Sequence, residues 1–166
     1  MASTYSFDVT TSCDLQEVDN AVNQAQKEVA QRFDFKGSHI LIDFKRGDNL
    51  IQMEAEGDMR MEALLDVLRG KLIKRGVPVK NLEITDPKPG SGEILRREIK
   101  LKMALDSDQA KKVSATIKDA KLKKVTASIQ GDQVRVSSPD KDALQDAIGV
   151  LRKADFEVEL QFGNFR

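Results

Sequence analysis

Thr85-Asp86-Pro87-Lys88-Pro89-Gly90-Ser91-Gly92 is the one stretch of this 166-residue chain where proline and glycine concentrate. On either side of it the same order of elements can be read. Strand–helix–strand–strand–helix–strand fits residues 4–84 and again residues 93–163. A βαββαβ unit written twice predicts an α+β fold of two ferredoxin-like layers in tandem, each too small to bury a large core. Such a fold carries many unrelated activities, so function has to come from particular residues.

In the first half, Tyr5, Phe7 and Val9 alternate with Ser6 and Asp8, the period of a half-buried strand. Asp14 is placed to cap a helix with Leu15, Val18, Val22, Ala25 and Val29 on one face. Ile40–Phe44 and Leu50–Met53 read as strands joined by the turn Lys45-Arg46-Gly47-Asp48-Asn49. A second helix starts at Asp58, carries Leu64, Leu65, Leu68 and Leu72, and ends before Gly76 and Pro78. Val79–Ile84 reads as the closing strand. In the second half, Glu93–Met103 is a long alternating strand. Ser107 or Asp108 opens a helix bearing Ala110, Val113 and Ile117. Val125–Ile129 and Val134–Val136 form a hairpin over Gln130-Gly131-Asp132-Gln133. Pro139 and Asp140 introduce a helix with Leu144, Ala147, Ile148 and Leu151, and Phe156–Phe162 ends the set.

Lysine and arginine balance aspartate and glutamate at 27 each, which argues against a protein that coats nucleic acid. The balance is uneven along the chain. Residues 1–35 hold six acids against two bases, net −4, and residues 93–130 hold ten bases against five acids, net +5. A local positive surface of that kind attracts phosphates. One cysteine, Cys13, excludes an internal disulfide, and one histidine, His39, excludes a multi-histidine metal centre. No apolar run reaches the roughly 20 residues of a membrane span. The start Met1-Ala2-Ser3-Thr4-Tyr5 has no leader character, so the expected compartment is the cytoplasm.

Few motifs suggest chemistry. Arg46-Gly47-Asp48 reads as a hairpin turn, and neither Cys13 nor His39 has a catalytic partner in sequence. No phosphate-loop, dinucleotide, nucleophile-elbow or zinc-protease pattern occurs, so neither a catalytic nor a metal site is expected, and no cofactor. The third strands of the two halves lack the aromatics on which single-stranded RNA stacks. Period two puts Gln133, Arg135 and Ser137 on an open sheet face beside Thr126, Ser128 and Gln130, either as a solvated surface or as a polar binding surface. Lys111, Lys112, Lys118, Lys121, Lys123 and Lys124 cluster on the third helix and its exit, where they suit a solvated face or phosphate binding. In Arg32-Phe33-Asp34-Phe35-Lys36-Gly37, Phe33 continues the apolar stripe of the first helix and is expected in the core, while Phe35, if exposed, could cover a base. Lys74 and Arg75 end the second helix, where cations favour the helix dipole.

Those segments together resemble the YajQ family of bacterial nucleotide-binding proteins. The likeness rests on residues 32–37, Ile73-Lys74-Arg75-Gly76, Glu98-Ile99-Lys100-Leu101-Lys102, Ala110-Lys111-Lys112-Val113, residues 129–136 and the ending Gln161-Phe162-Gly163-Asn164-Phe165-Arg166. The chain departs from the family pattern at Ser137-Ser138-Pro139-Asp140 and at Gly163. The resemblance implies two ferredoxin-like, RNP-like domains with exchanged first strands. Residues 13–103 would form one, and residues 1–12 plus 104–166 the other. It further implies a non-enzymatic protein that binds a nucleotide or cyclic dinucleotide, with cyclic di-GMP sensing and an influence on transcription through a transcription factor. An RNA- or DNA-binding adaptor without a small ligand is the alternative. The expected nucleotide-binding residues are Lys100, Lys102, Lys111, Lys112, Lys118, Lys121, Gln130, Gln133 and Arg135. A second-choice set is Arg32, Phe35, Lys36, Lys74 and Arg75.

Overall fold

A computed structural model describes residues 4–166 and holds two sheets and four helices, a mixed α+β architecture. The reading of residues 1–3 as leader-free lies outside the described residues. In chain order the elements are β1 (Tyr5–Thr10), α1 (Leu15–Gln31), β2 (Ile40–Lys45), β3 (Leu50–Glu56), α2 (Gly57–Lys74), β4 (Leu82–Ile84), β5 (Lys88–Pro89), β6 (Ile94–Leu101), α3 (Ser107–Asp119), β7 (Thr126–Gln130), β8 (Gln133–Ser138), α4 (Lys141–Lys153) and β9 (Gln161–Gly163). They gather into two compact units, one of Cys13–Lys102 and one of residues 4–12 with Met103–Arg166.

The Cys13–Lys102 unit contains the sheet β2-β3-β6-β4, all neighbours antiparallel, with α1 and α2 on one face. Asp14 caps α1 by accepting from the backbone N–H groups of Gln16 and Glu17, which satisfies two of its four orphan donors. Val18, Val22 and Ala25 of α1 and Met61, Leu64, Leu68 and Leu72 of α2 are buried with Ile51, Met53 and Ile99 of the sheet. Burying each such side chain is worth about 1.5–3 kcal/mol. The Pro/Gly stretch does not divide the units. It lies inside this one, where Lys88 and Pro89 pair back onto Arg96 and Leu95 of β6 and Gly90 N–H donates to the Ile94 carbonyl at 2.7 Å.

The other unit contains the antiparallel sheet β7-β8-β1-β9 with α3 and α4. Phe7, Val9, Val134 and Val136 meet Val113, Ile117, Leu144, Ile148 and Leu151 in its core. The residue that opens α3 is Asp106, one position before the expected ones: it accepts from Gln109 N–H, and the Gln109 side chain accepts from Asp106 N–H. That reciprocal pair is a capping box.

Several expected strands are shorter than their hydrophobicity suggested. Phe156 and Val158 are buried core residues in an irregular segment, and only Gln161–Gly163 pairs as β9. Val79–Asn81 is a 3-10 turn, with Val79 exposed, so β4 is three residues long. The long strand after the Pro/Gly stretch ends at Leu101, because Lys102 turns its N–H to the Asn81 carbonyl.

Candidate functional site

The helices of the unit containing β1 cover one face of its sheet, and the other face is open. Ser128, Arg135, Asp8 and Gly163 lie in register across β7, β8, β1 and β9 on that open face. Arg135 Nε donates to Asp8 Oδ1 at 2.9 Å and Nη2 to Oδ2 at 3.4 Å. Asn164 Nδ2 donates to Asp8 Oδ2 at 2.6 Å. The chain end reaches this face because Asn164 takes φ +53, a left-handed conformation that Asn tolerates, and Arg166 then exchanges two backbone bonds with Ser6. Asp8 is therefore buried although it stands on the open face. The Arg135 guanidinium holds its carboxyl below the ordinary value, against the opposing effect of burial, and Asn164 adds to the lowering. In turn Asp8 raises the Arg135 pKa.

Around this cluster is a concavity of about 370 Å³ lined by Asp8, Thr10, Gln133, Arg135, Gly163, Asn164 and Arg166. A Cβ added at Gly163 would meet nothing within 4 Å, so the absent side chain leaves room at the lip. Arg135 Nη1 has no hydrogen bond to a described residue. The arrangement offers a guanidinium donor, fixed by the buried Asp8 carboxylate, and the amides of Gln133 and Asn164 to one small polar ligand.

The expected binding residues do not all lie together. Gln130 and Gln133 face each other across the β7–β8 turn, and Arg135 is two residues further on. Lys111 and Lys118 are exposed on α3, on the helical side of the sheet and away from the open face. Lys112 Nζ donates to the Asp155 carbonyl at 2.6 Å and sits 5.1 Å from the Phe156 ring centre. Lys121 is exposed just past α3 with Lys123 and Lys124. Lys100 and Lys102 belong to the Cys13–Lys102 unit, where Lys100 pairs in register with Leu50 and Glu83.

In the second-choice set, Phe33 is not in the core as expected, and Phe35, whose exposure the sequence left open, is buried. Phe33 is 88% exposed and Phe35 is 4% exposed. Helix α1 ends at Gln31, so the apolar stripe does not extend to Phe33; a 3-10 turn over residues 33–35 swings Phe35 inward instead. Arg32 forks onto Asp34 at 3.0 and 2.7 Å and lies over the Phe35 ring. Phe35 cannot cover a base. Arg75 pairs with Glu17 at 3.5 Å, and Lys36 and Lys74 are exposed. Asp8, Asn164 and Arg166 were not singled out from sequence. Only the register that brings β1 beside β8 and β9 makes them visible.

Burial pushes the Cys13 thiol up to about 11, and its sulfur lies 3.8 Å from the Lys102 carbonyl. His39 Nε2 lies 2.8 Å from Glu54, whose carboxyl is lowered first by that bond and then by Arg96. Among the described residues no three His, Cys, Asp or Glu side chains gather as a metal site, and no helix is long and apolar enough to cross a membrane.

A family model described as nucleotide-binding protein YajQ-like matches residues 5–166. A protein of Chloroherpeton thalassium named a nucleotide-binding protein is 42% identical over 166 residues, covering 100% of both chains. Another of that name from Alkaliphilus oremlandii is 46% identical over the same 100% of both chains. One from Pseudomonas putida is 48% identical over 161 residues, 97% of this chain and 98% of its own.

Proposed function

The chain belongs to the YajQ family, and on that membership we propose that it is a non-enzymatic nucleotide-binding protein of the cytoplasm. The ligand class we assign is a nucleotide or cyclic dinucleotide, with cyclic di-GMP foremost, and the output is control of transcription through a protein partner. The fold reading that goes with it is a pair of ferredoxin-like, RNP-like domains with exchanged first strands. Two strand orders support that reading. β1 lies between β8 and β9, and β6 lies between β3 and β4, each in the place of a first strand between the third and the fourth.

The observation that carries the binding proposal is the Asp8–Arg135–Asn164 cluster in its concavity of about 370 Å³, a volume within the range of small-ligand sites. Arg135 donates from Nη1 to a phosphate or base oxygen, and Asp8 keeps the guanidinium fixed. Gln133 supplies a directional amide. The test is calorimetric titration of the full chain with cyclic di-GMP, GMP, GTP and a single-stranded RNA, each at low and high salt. Saturable binding of one small nucleotide with a shallow salt slope supports the site. Absence of binding by every nucleotide removes it.

A specific observation favours a second reading, RNA or DNA bound by the lysines of α3 and of the segment at its exit. Lys121 and Lys124 hold φ of +53 and +62, conformations where glycine is easier. Lysine at both places keeps charge where the backbone disfavours a side chain. Affinity that grows with oligonucleotide length and collapses in salt is its signature.

A further inference from the structure

β2 is an edge strand of the sheet in the other unit, Cys13–Lys102. In the order β2-β3-β6-β4 this strand has one neighbour. The Ile42 carbonyl is turned away from β3, because it accepts Gln26 Nε2 of α1 at 2.7 Å. Residues alternate in an antiparallel pair, so Ile40 and Phe44 turn their N–H and C=O outward as well. A row of outward backbone groups at two-residue spacing is a template for an added strand.

Beside this edge runs a groove of about 480 Å³ between α1 and β2. Val29, Ala30 and Phe35 give it an apolar lining. Lys36 and Gly37 line it too, just ahead of the start of β2. Lys36 is exposed and has no ion pair with a described residue, and the Gly37 N–H donates to none of them. Gly37 adopts φ +77, which favours glycine. A strand added antiparallel to β2 ends its own chain at the Ile40 end, beside Lys36 and Gly37. A terminal carboxylate placed there meets an ammonium and a backbone donor.

We propose that this groove binds the C-terminal strand of a partner protein. The peptide backbone pairs with Ile40 and Ile42, an apolar side chain near its end rests on Val29, Ala30 and Phe35, and its carboxylate is held by Lys36 and Gly37. Gln26 occupies the Ile42 acceptor while the edge is empty and yields it to a peptide N–H. At about 3.4 Å per residue, β2 accommodates a strand of about four to six residues.

The test pans phage-displayed heptapeptides with free C-termini on the full chain, then measures the selected peptides by fluorescence anisotropy as acids and as amides. The expected result is enrichment of peptides with an apolar last residue and a loss of about tenfold or more on amidation. Lys36→Glu should cause a comparable loss. Ile40→Pro should abolish binding, since it removes an outward N–H without breaking a β2–β3 bond. Should Ile40→Pro fail to fold, amidation and Lys36→Glu decide the matter, as Lys36 is exposed and its replacement leaves the core intact. No enrichment, or equal binding of acids and amides, overturns the proposal. So does self-association in sedimentation that Lys36→Glu removes, because a second copy then fills the edge.

Discussion

Arg135 and Asp8 face each other across the β8–β1 pairing, 127 positions apart in the chain, with the guanidinium Nε 2.9 Å from the carboxylate. Asn164 bonds the same carboxylate, so the first strand, the eighth strand and the chain end converge on one side chain. This contact ties β1 to β8 beside their backbone ladder and also forms the base of the proposed ligand site. Its removal should therefore affect stability and binding in ways that can be separated.

The acid limb of stability is the first consequence. The folded pKa of Asp8 lies below its ordinary 3.8, chiefly because of the Arg135 hydrogen bond. Between the lowered value and 3.8 the unfolded chain binds more protons than the folded one. Stability from this group is thus complete above the unfolded value and is lost as pH falls through the folded value. In urea melts at stepped pH, Asp8→Asn should lower stability at neutral pH and flatten the decline in acid. An unchanged acid limb would place the titration elsewhere, at Asp34 or Glu54, whose carboxyls are also lowered.

The second concerns which segments complete which sheet. β1 supplies an inner strand to the sheet of β7, β8 and β9, while residues 13–102 hold every strand of the other sheet. A fragment 13–102 should melt cooperatively. A fragment 103–166 should not, because Val134, Val136 and Phe162 lose the strand they pack beside. Adding a peptide of residues 4–12 should restore a cooperative transition. Cooperative melting of 103–166 alone would contradict this.

A third follows from the exposure of Phe33 and the burial of Phe35. Phe33→Ser should leave the melting temperature nearly unchanged, since the ring is 88% exposed. Phe35→Ala should cost about 3–5 kcal/mol, the range for a buried aromatic. Equal effects of the two changes in urea titrations would refute the assignment.

The exposure of Phe33 marks where sequence reading stops. Helical period identified the buried faces of α1, α2, α3 and α4, because Val18, Leu64, Val113 and Leu144 recur at the spacing that packing requires. Period could not say that α1 stops at Gln31, because the stop depends on a 3-10 turn rather than on glycine or proline. Arg135 was readable as an open-face residue from alternation alone. Its partner Asp8 was not, because Asp8 alternates like any outward strand residue and is buried only by contacts with Arg135 and the chain end. The Phe156–Val158 segment misled for a related reason: burial in a core does not require a ladder.

The fourth prediction uses the left-handed lysines. Replacing Lys121 or Lys124 by Gly relieves backbone strain of about 1–2 kcal/mol but adds freedom to the unfolded chain. Each variant should gain up to about 1 kcal/mol in denaturant melts. If the lysines of α3 and of the segment at its exit bind polynucleotide, the same variants should lose affinity and reduce the salt slope. A stability loss in both would mean that these side chains make native contacts that outweigh the strain.

The last prediction separates the two binding faces. Lys111 and Lys118 stand on the exposed side of α3, whereas Arg135 stands on the open sheet face of the same unit. A ligand confined to the concavity touches Arg135 and not the lysines. Arg135→Ala should weaken a small nucleotide by about ten- to a hundredfold, the loss of one charged, directional contact. Arg135→Lys should rescue it poorly, because a single ammonium cannot hold Asp8 and a ligand oxygen in the same planar geometry. Lys111→Glu with Lys118→Glu should leave nucleotide affinity within about twofold, since both charges lie on the far side of the sheet and are screened by salt. For a bound polynucleotide the pattern inverts: the double lysine change weakens binding and flattens its salt dependence, while Arg135→Ala has little effect. Because Arg135→Ala also unpairs Asp8, its melting midpoint must be measured with its affinity, and Asp8→Asn serves as the control for stability. Nucleotide affinity that survives Arg135→Ala in a folded variant would move the ligand off the open face.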